Sequence, residues 1–128
     1  MLLKTPSLLI TDDDRDFRET LRDVFEPRGF RTLLASDGEQ ALRIASNEPV
    51  HLLVTDMHMP RLSGLETIHR LRQLCVSVPC ILLSAQLDER ITEEARQAAV
   101  FRFLPKPVSF RDLTDVVTQA MRSAYNWP

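Results

Sequence analysis

This chain of 128 residues has only two cysteines, no long apolar run and no excess of positive charge. Its longest apolar stretches have the length of strands, far below the roughly 20 residues that a membrane span requires. A net charge of −2 provides no basic surface for nucleic acid. The first residues, MLLKTPS, lack the apolar core of a signal peptide. We therefore expect a cytoplasmic domain that itself binds neither membrane nor nucleic acid.

Cysteine and histidine are too sparse to indicate a metal or redox site. Cys75 and Cys80 are too few for a disulfide scaffold and fit no common zinc spacing, so we interpret both as buried thiols. His51 begins a predicted strand, and His69 faces out of a predicted helix. A zinc site built from His58 and His69 is therefore not expected.

Strand and helix patterns alternate along the chain, and no internal repeat interrupts them. Hydrophobic residues make up 44% and charged residues 27%, which is ordinary for one globular domain of this length. Short runs rich in Leu, Ile and Val predict five strands, at Leu8–Ile10, Thr32–Ala35, Leu52–Thr55, Ile81–Leu83 and Phe101–Leu104.

Each predicted strand is followed by an amphipathic segment that carries a helix-start signal. These signals are single capping residues at Asp14, Asp88 and Ser109, and capping-box spacing in the pairs Asp37–Gln40 and Ser63–Glu66. Five strand–helix units joined by right-handed crossovers predict a doubly wound α/β domain with a five-stranded parallel sheet.

Polar side chains follow four of the five predicted strands. Asp12 and Asp13 follow the first strand, Asp56 the third, Ser84 the fourth and Lys106 the fifth. In open α/β sheets the working site lies beyond the carboxyl ends of the strands, where strand order reverses. Two like charges about 4 Å apart repel by roughly 4 kcal/mol at an effective dielectric near 20, so clustered carboxylates need a counter-charge. The sequence therefore predicts one site containing acids, a hydroxyl and a lysine.

The chain resembles the receiver domain of bacterial two-component response regulators over essentially its whole length. The matching segments are ITDDD, LLVTDMHMPRLSG, ILLSA and FRFLPKP, in that order and each at the end of a predicted strand. The resemblance implies a flavodoxin-like sheet of strand order 2-1-3-4-5 with five helices. It also implies that residues 1–128 form a single receiver domain, with a core from about residue 6 to residue 124.

A divalent metal site, for Mg²⁺ or Mn²⁺, is part of what the resemblance implies. Asp13 and Asp56 would coordinate the ion directly, Asp12 would hold it through water, and the backbone carbonyl of His58 would complete the protein's share. Oxygen ligands of this kind suit a hard cation such as Mg²⁺. Asp14 is expected to accept N–H bonds at the start of the first helix instead.

The resemblance further implies that Asp56 is the phosphoacceptor. The donor would be the phosphohistidine of a sensor histidine kinase or a phosphotransfer protein, with small acyl phosphates as substitutes. Lys106 and Ser84 would bind the phosphoryl oxygens, in a reaction that depends on positioning and charge neutralisation. Water would later hydrolyse the aspartyl phosphate, which makes the chain a signalling phosphoacceptor that assists its own reactions and not an enzyme.

A conformational switch is also implied. Phe103 stands where the family places an aromatic residue that turns inward when the hydroxyl, here Ser84, moves toward the phosphoryl group. The reshaped surface would comprise the fourth helix, fifth strand and fifth helix, where a downstream effector could bind. A cis bond is expected at Lys106–Pro107, because it lets the chain turn while the ammonium points back over the acids.

Two positions depart from the family pattern. The family often has glycine at the end of the fourth helix, where this chain has Ala99, so a left-handed helix end is expected to be less favourable here. Ser84 stands where threonine is commoner.

Other classes of protein remain open on the residues alone. Asp12 and Asp14 form the D-x-D motif of haloacid-dehalogenase-type phosphatases, with Asp12 as nucleophile, although that class needs a small hydroxylated or branched residue where this chain has Asp16. A flavin-binding module would need a phosphate loop rich in Ser, Thr and Gly, which an acidic triplet opposes. A receiver-like interaction module that is never phosphorylated is disfavoured because every expected site residue is present.

Overall fold

A computed structural model describes residues 4–86 and 88–128 as five strands, each followed by a helix. The strands are β1 (Ser7–Thr11), β2 (Arg31–Ala35), β3 (Leu52–Asp56), β4 (Cys80–Ser84) and β5 (Arg102–Pro105). The helices are α1 (Arg15–Phe25), α2 (Gly38–Asn47), α3 (Gly64–Gln73), α4 (Glu89–Gln97) and α5 (Phe110–Tyr125), with a short 3₁₀ turn at Glu26–Arg28. The predicted alternation is confirmed; β5 is displaced by one residue, so that it excludes Phe101 and includes Pro105, and the other four strands are one or two residues longer than predicted.

The sheet is parallel, with strand order β2-β1-β3-β4-β5, as predicted. Chain order reverses between β1 and β3, so a crevice opens at the carboxyl ends of these two strands. In the register, Thr11 pairs with Thr55, Asp56 with Leu83, and Ser84 with Pro105. The residues that end β1, β3, β4 and β5 therefore share one edge of the sheet.

Two apolar layers enclose the sheet. Every residue of β1, β3 and β4 is buried, as expected for parallel strands covered on both faces. Residues of α1 and α5 pack on one face with Leu8, Ile10 and Val54, and residues of α2, α3 and α4 pack on the other with Leu9 and Leu53. No helix in the described ranges is long and apolar enough to cross a membrane.

All five helices begin at the predicted capping residues. The side chains of Asp14, Asp37, Ser63, Asp88 and Ser109 each accept a backbone N–H from the first turn. The capping box at Ser63–Glu66 is complete, but the one at Asp37–Gln40 is only half formed. The Gln40 side-chain oxygen instead accepts two hydrogen bonds from Ser36, one from its backbone N–H and one from its hydroxyl.

The end of α4 contradicts the expectation drawn from the missing glycine. Ala99 adopts a left-handed conformation, with φ of 54°. Two backbone hydrogen bonds close the helix end, from Ala99 N–H to Arg96 O at 3.0 Å and from Val100 N–H to Ala95 O at 3.1 Å. The Arg72 guanidinium of α3 also donates to the carbonyls of Ala99 and the residue before it. These contacts hold alanine in a conformation that usually favours glycine.

The two cysteines differ from each other. Cys80 is buried, and burial raises the pKa of its thiol to about 11. Cys75 is exposed, so its interpretation as a buried thiol was wrong. It follows the end of α3 with φ of 63°, in a turn that carries the chain along the surface.

His51 and His69 lie away from the carboxyl edge of the sheet. His51 precedes β3, at the opposite edge, where its Nδ1 accepts the N–H of Ser7 at 2.9 Å and its carbonyl accepts the Tyr125 hydroxyl at 2.6 Å. His69 is exposed on α3. Both residues therefore fit the structural roles expected from the sequence.

The left-handed conformation of Ala99 predicts that Ala99→Gly stabilises the protein. A Cβ atom in this region costs about 1–2 kcal/mol, whereas glycine avoids that cost and loses only part of the gain through its greater freedom when unfolded. We expect the free energy of unfolding to rise by about 0.5–1 kcal/mol, measured by urea denaturation. Ala124→Gly, inside the last turn of α5, should lower it. A less stable Ala99→Gly variant would contradict the left-handed helix end.

Candidate functional site

Three carboxylates meet at the crevice between β1 and β3. Carboxylate oxygens of Asp12, Asp13 and Asp56 all lie within 4.8 Å of one another. Asp12 and Asp56 are only 1% and 7% exposed, whereas Asp13 is open to solvent. Among the described residues, this is the one group of three or more His, Cys, Asp or Glu side chains close enough to share a cation.

Backbone hydrogen bonds continue one residue past the ends of β1 and β3, and they bring these acids together. The N–H of Asp12 donates to Ala35 O at 3.1 Å, and the N–H of Met57 donates to Leu83 O at 2.7 Å. The start of α3 then returns close to β3, since a Cβ on Gly64 would lie 2.4 Å from the carbonyl oxygen of Asp56. Glycine at position 64 therefore permits the loop after Asp56 to close beside the site.

Lys106 supplies the counter-charge that the acids require. Its Nζ lies 2.7 Å from Asp12 Oδ2 and 3.5 Å from Asp56 Oδ2. The same ammonium lies 4.7 Å from the centre of the Phe17 ring. The Lys106–Pro107 peptide bond is cis, the one such bond among the described residues. Lys106 thus joins the two buried carboxylates from the end of β5.

The charges of this cluster perturb one another. Burial raises the pKa of Asp56, the nearby charge of Asp12 raises it further, and Lys106 only partly offsets both effects. Burial disfavours the charged form of Lys106, but its hydrogen bond to Asp12 and the two carboxylate charges outweigh this and raise its pKa. The site therefore holds a firmly protonated lysine beside a carboxylate that is costly to ionise.

Asp12 and Asp14 have separate tasks. Asp12 Oδ1 accepts the N–H of Asp14 at 2.9 Å, and its backbone carbonyl accepts a hydrogen bond from Arg18 at 2.7 Å. Asp14 accepts the N–H groups of Asp16 and Phe17 and caps α1, which confirms its predicted role. The contacts of Phe17 and Arg18 with the site were not predicted from the sequence, because their helical spacing indicated only packing and solvent faces.

Ser84 lies at the end of β4, fully buried. Its hydroxyl donates to the carbonyl of Gln86 at 2.8 Å and accepts the N–H of Gln86 at 3.0 Å. The Nε2 atom of His58 lies 3.2 Å from the same hydroxyl. Only the backbone carbonyl of His58 was predicted to belong to the site, because nothing in the loop sequence indicates where an exposed imidazole points.

Phe103 lies on β5, paired with Leu82, and is half-buried against the layer that contains α4. It lines a cleft of about 280 Å³ together with Thr92, Ala95, Arg96, Val100, Phe101 and Arg102. The predicted switch aromatic therefore borders both the core and the surface between α4 and β5.

The acidic cluster suits a hard divalent cation. Its donors are all carboxylate oxygens, and those of Asp13 are exposed to solvent. Mg²⁺ prefers a few carboxylates together with waters. No thiol or imidazole belongs to the group, so a zinc-type site is not what these residues form. The residues present thus fit a Mg²⁺-like ion.

This chain is similar in sequence and in fold to known proteins. Residues 8–118 match the family described as the response regulator receiver domain. A response regulator receiver protein of Anaeromyxobacter is 33% identical over 84% of this chain and 45% of its own length. The transcriptional regulatory protein CpxR of Escherichia coli is 32% identical over 92% of this chain and 50% of its own length. The crystal structure of a response regulator receiver protein from Pseudomonas putida superposes with a TM-score of 0.86 at 27% identity, covering 92% of this chain and 99% of that one.

Fold and site together define a phosphoacceptor domain of two-component signalling. The chain belongs to the response regulator receiver domain family. It spans about half the length of the curated relatives it matches. The functional class predicted from the sequence is thereby confirmed at the level of the family.

The buried charge of Asp56 predicts that Asp56→Asn stabilises the metal-free protein at neutral pH. The raised pKa means that ionised Asp56 is less favourable in the folded than in the unfolded chain. This penalty is absent at pH values well below the ordinary pKa of 3.8 and complete above the raised one. We expect a gain of about 1–3 kcal/mol in the free energy of unfolding at pH 7, which disappears in acid.

Chemical denaturation at the two pH values, in the presence of a chelator, measures this gain. Asp115→Asn, which removes an exposed acid of α5, is the matched control and should change the stability by less than about 0.5 kcal/mol. An Asp56→Asn variant that is no more stable than the wild type at pH 7 would show that Lys106 fully offsets the repulsion.

Proposed function

We propose that Asp56 accepts a phosphoryl group from the phosphohistidine of a sensor histidine kinase or a phosphotransfer protein. The observation that carries the proposal is the Lys106 ammonium, held 2.7 Å from Asp12 and 3.5 Å from Asp56 beside a cluster of three acids. A positive charge fixed between buried carboxylates can neutralise an incoming phosphoryl group. Phosphoryl transfer depends mainly on such positioning and neutralisation.

In the proposed reaction, a carboxylate oxygen of Asp56 attacks phosphorus. The bond between phosphorus and the imidazole nitrogen of the donor breaks, and its electron pair stays with that nitrogen. The product is an acyl phosphate on Asp56. A small acyl phosphate can replace the kinase, because the receiver domain itself supplies the nucleophile and the counter-charges.

The proposed metal site comprises Asp12, Asp13, Asp56 and the backbone carbonyl of His58. Bound Mg²⁺, or Mn²⁺ in its place, would neutralise charge on the phosphoryl oxygens. Asp13 is the exposed member of the cluster, which suits an ion entering from solvent. Asp12 already uses one oxygen for Lys106 and the other for the N–H of Asp14, which suits the water-mediated contact expected from the sequence.

Lys106 and Ser84 are the proposed partners of the phosphoryl oxygens. Lys106 would shift from Asp12 toward the new charge on Asp56, and Ser84 would donate its hydroxyl hydrogen. Phe103 would then repack at the cleft between α4 and β5. The proposed output is a changed surface over α4, β5 and α5, where an effector could bind.

Hydrolysis of the aspartyl phosphate would return the domain to its resting state, so the proposed role is a self-resetting signal in the cytoplasm.

We propose that residues 1–128 act as one receiver unit. In a longer protein, its phosphorylation would control the attached region, as the name of the transcriptional regulatory protein CpxR suggests for that relative. The alternative with Asp12 as a phosphatase nucleophile is disfavoured, because that class needs a small hydroxylated or branched residue where this chain has Asp16, and because the chain belongs to the receiver domain family.

Phosphorylation is tested by intact mass spectrometry after incubation with acetyl phosphate and Mg²⁺. We expect a mass increase of one phosphoryl group in the wild type and its loss in Asp56→Asn, which lacks the nucleophile. Removing Mg²⁺ with a chelator should reduce labelling strongly, since the acids then lack a counter-charge.

The matched control is Asp16→Asn, which alters an exposed acid of the first turn of α1 and should retain labelling. Full labelling of Asp56→Asn would refute the assignment. Labelling that persists in Asp56→Asn but is lost in Asp12→Asn would favour the phosphatase-type nucleophile.

A further inference from the structure

The imidazole of His58 contacts the hydroxyl of Ser84. His58 Nε2 lies 3.2 Å from Ser84 Oγ, and the His58 residue is exposed whereas Ser84 has no exposed surface. The proposed chemistry uses only the backbone carbonyl of His58, so it assigns no task to this side chain. The contact joins the loop after β3 to the end of β4.

The hydrogen-bonding capacity of Ser84 is fully used. A hydroxyl has one hydrogen to donate and two lone pairs that accept. The hydrogen goes to the carbonyl of Gln86 at 2.8 Å, and one lone pair takes the N–H of Gln86 at 3.0 Å. The other lone pair faces His58 Nε2, and the contact is a hydrogen bond in the tautomer that carries its hydrogen on Nε2.

Binding a phosphoryl group would disturb this arrangement. Phosphoryl oxygens accept hydrogen bonds and do not donate them, so Ser84 must redirect its only hydrogen. Redirection breaks the bond to the Gln86 carbonyl, and the movement of Ser84 toward the phosphoryl group in the proposed switch carries its oxygen away from His58. Any bond from His58 to that oxygen therefore stabilises the state in which Ser84 is held by Gln86.

We infer that His58 is a positioning residue that holds the Ser84 hydroxyl in its resting position and so opposes the switch. Its role in switching rests on the proposed function of Asp56, whereas its contact with Ser84 exists in the free protein. Losing one ordinary hydrogen bond shifts an equilibrium roughly two- to tenfold. His58 thus sets how readily the domain takes up a phosphoryl group.

The first measurement uses the free protein. His58→Phe keeps a ring of similar size but removes the donor nitrogen, which leaves the Ser84 oxygen less firmly placed to accept the N–H of Gln86. We expect the Gln86 amide to exchange with deuterium roughly two- to tenfold faster in NMR spectra. His58→Gln, which retains a side-chain N–H donor, should stay closer to the wild type.

The second measurement uses beryllofluoride with Mg²⁺ as a mimic of the phosphoryl group. His58→Phe should raise the apparent affinity for this probe roughly two- to tenfold, because the resting state loses a hydrogen bond. In a Ser84→Ala background the same change should have no effect, since the hydroxyl through which His58 acts is gone. His69→Phe, an exposed imidazole of α3, is the matched control and should alter neither measurement.

An unchanged Gln86 exchange rate in His58→Phe, or an equal change of affinity with and without the Ser84 hydroxyl, would overturn the role of His58. A wild type that binds no beryllofluoride and takes no label from acetyl phosphate would contradict the proposed function instead. In that case the exchange rates of Gln86 still decide whether His58 holds Ser84.

Discussion

The repulsion among three clustered carboxylates is the constraint on which the rest of the site depends. Asp12 and Asp56 are buried, so water screens their charges poorly. Lys106 reaches both from another strand and makes the cluster tolerable, with the face of the Phe17 ring beside its ammonium. Lys106 does not fully offset the burial of Asp56 and its repulsion by Asp12, so the pKa of Asp56 stays raised. An ionised Asp56 lowers the stability of the fold, and the same negative charge attracts cations to the site.

The same cluster connects to the outer surface through few atoms. Ser84 ends β4 beside the site, and its hydroxyl is bound to both backbone groups of Gln86. Gln86 lies two residues before Asp88, which caps α4. In the proposed switch, a change in the partner of this hydroxyl would act on Gln86, which is close in sequence to the start of α4.

Local sequence signals predicted the fold well and the ends of its elements less well. Asp14, Ser63 and Ser109 cap their helices as expected, because each cap depends only on a side chain and the next few N–H groups. Ala99 did not follow its local preference, since Arg72 of α3, distant along the chain, binds carbonyls at that helix end. Cys75 is exposed although its residue type favours burial, because the chain turns at the surface after α3.

The strands along the chain and the positions of Asp12, Asp13, Asp56, Ser84 and Lys106 at strand ends were determined by the sequence alone, whereas the order of the strands in the sheet was implied by the family resemblance. Apolar runs fix the strands, and a parallel sheet brings their carboxyl ends together whatever the details of packing. Only the tertiary structure decided which side chains bind one another. Lys106 bridges Asp12 and Asp56, and His58 faces Ser84, because these contacts depend on distances and hydrogen-bonding capacity in the folded chain. The periodicity of the sequence does not contain those distances.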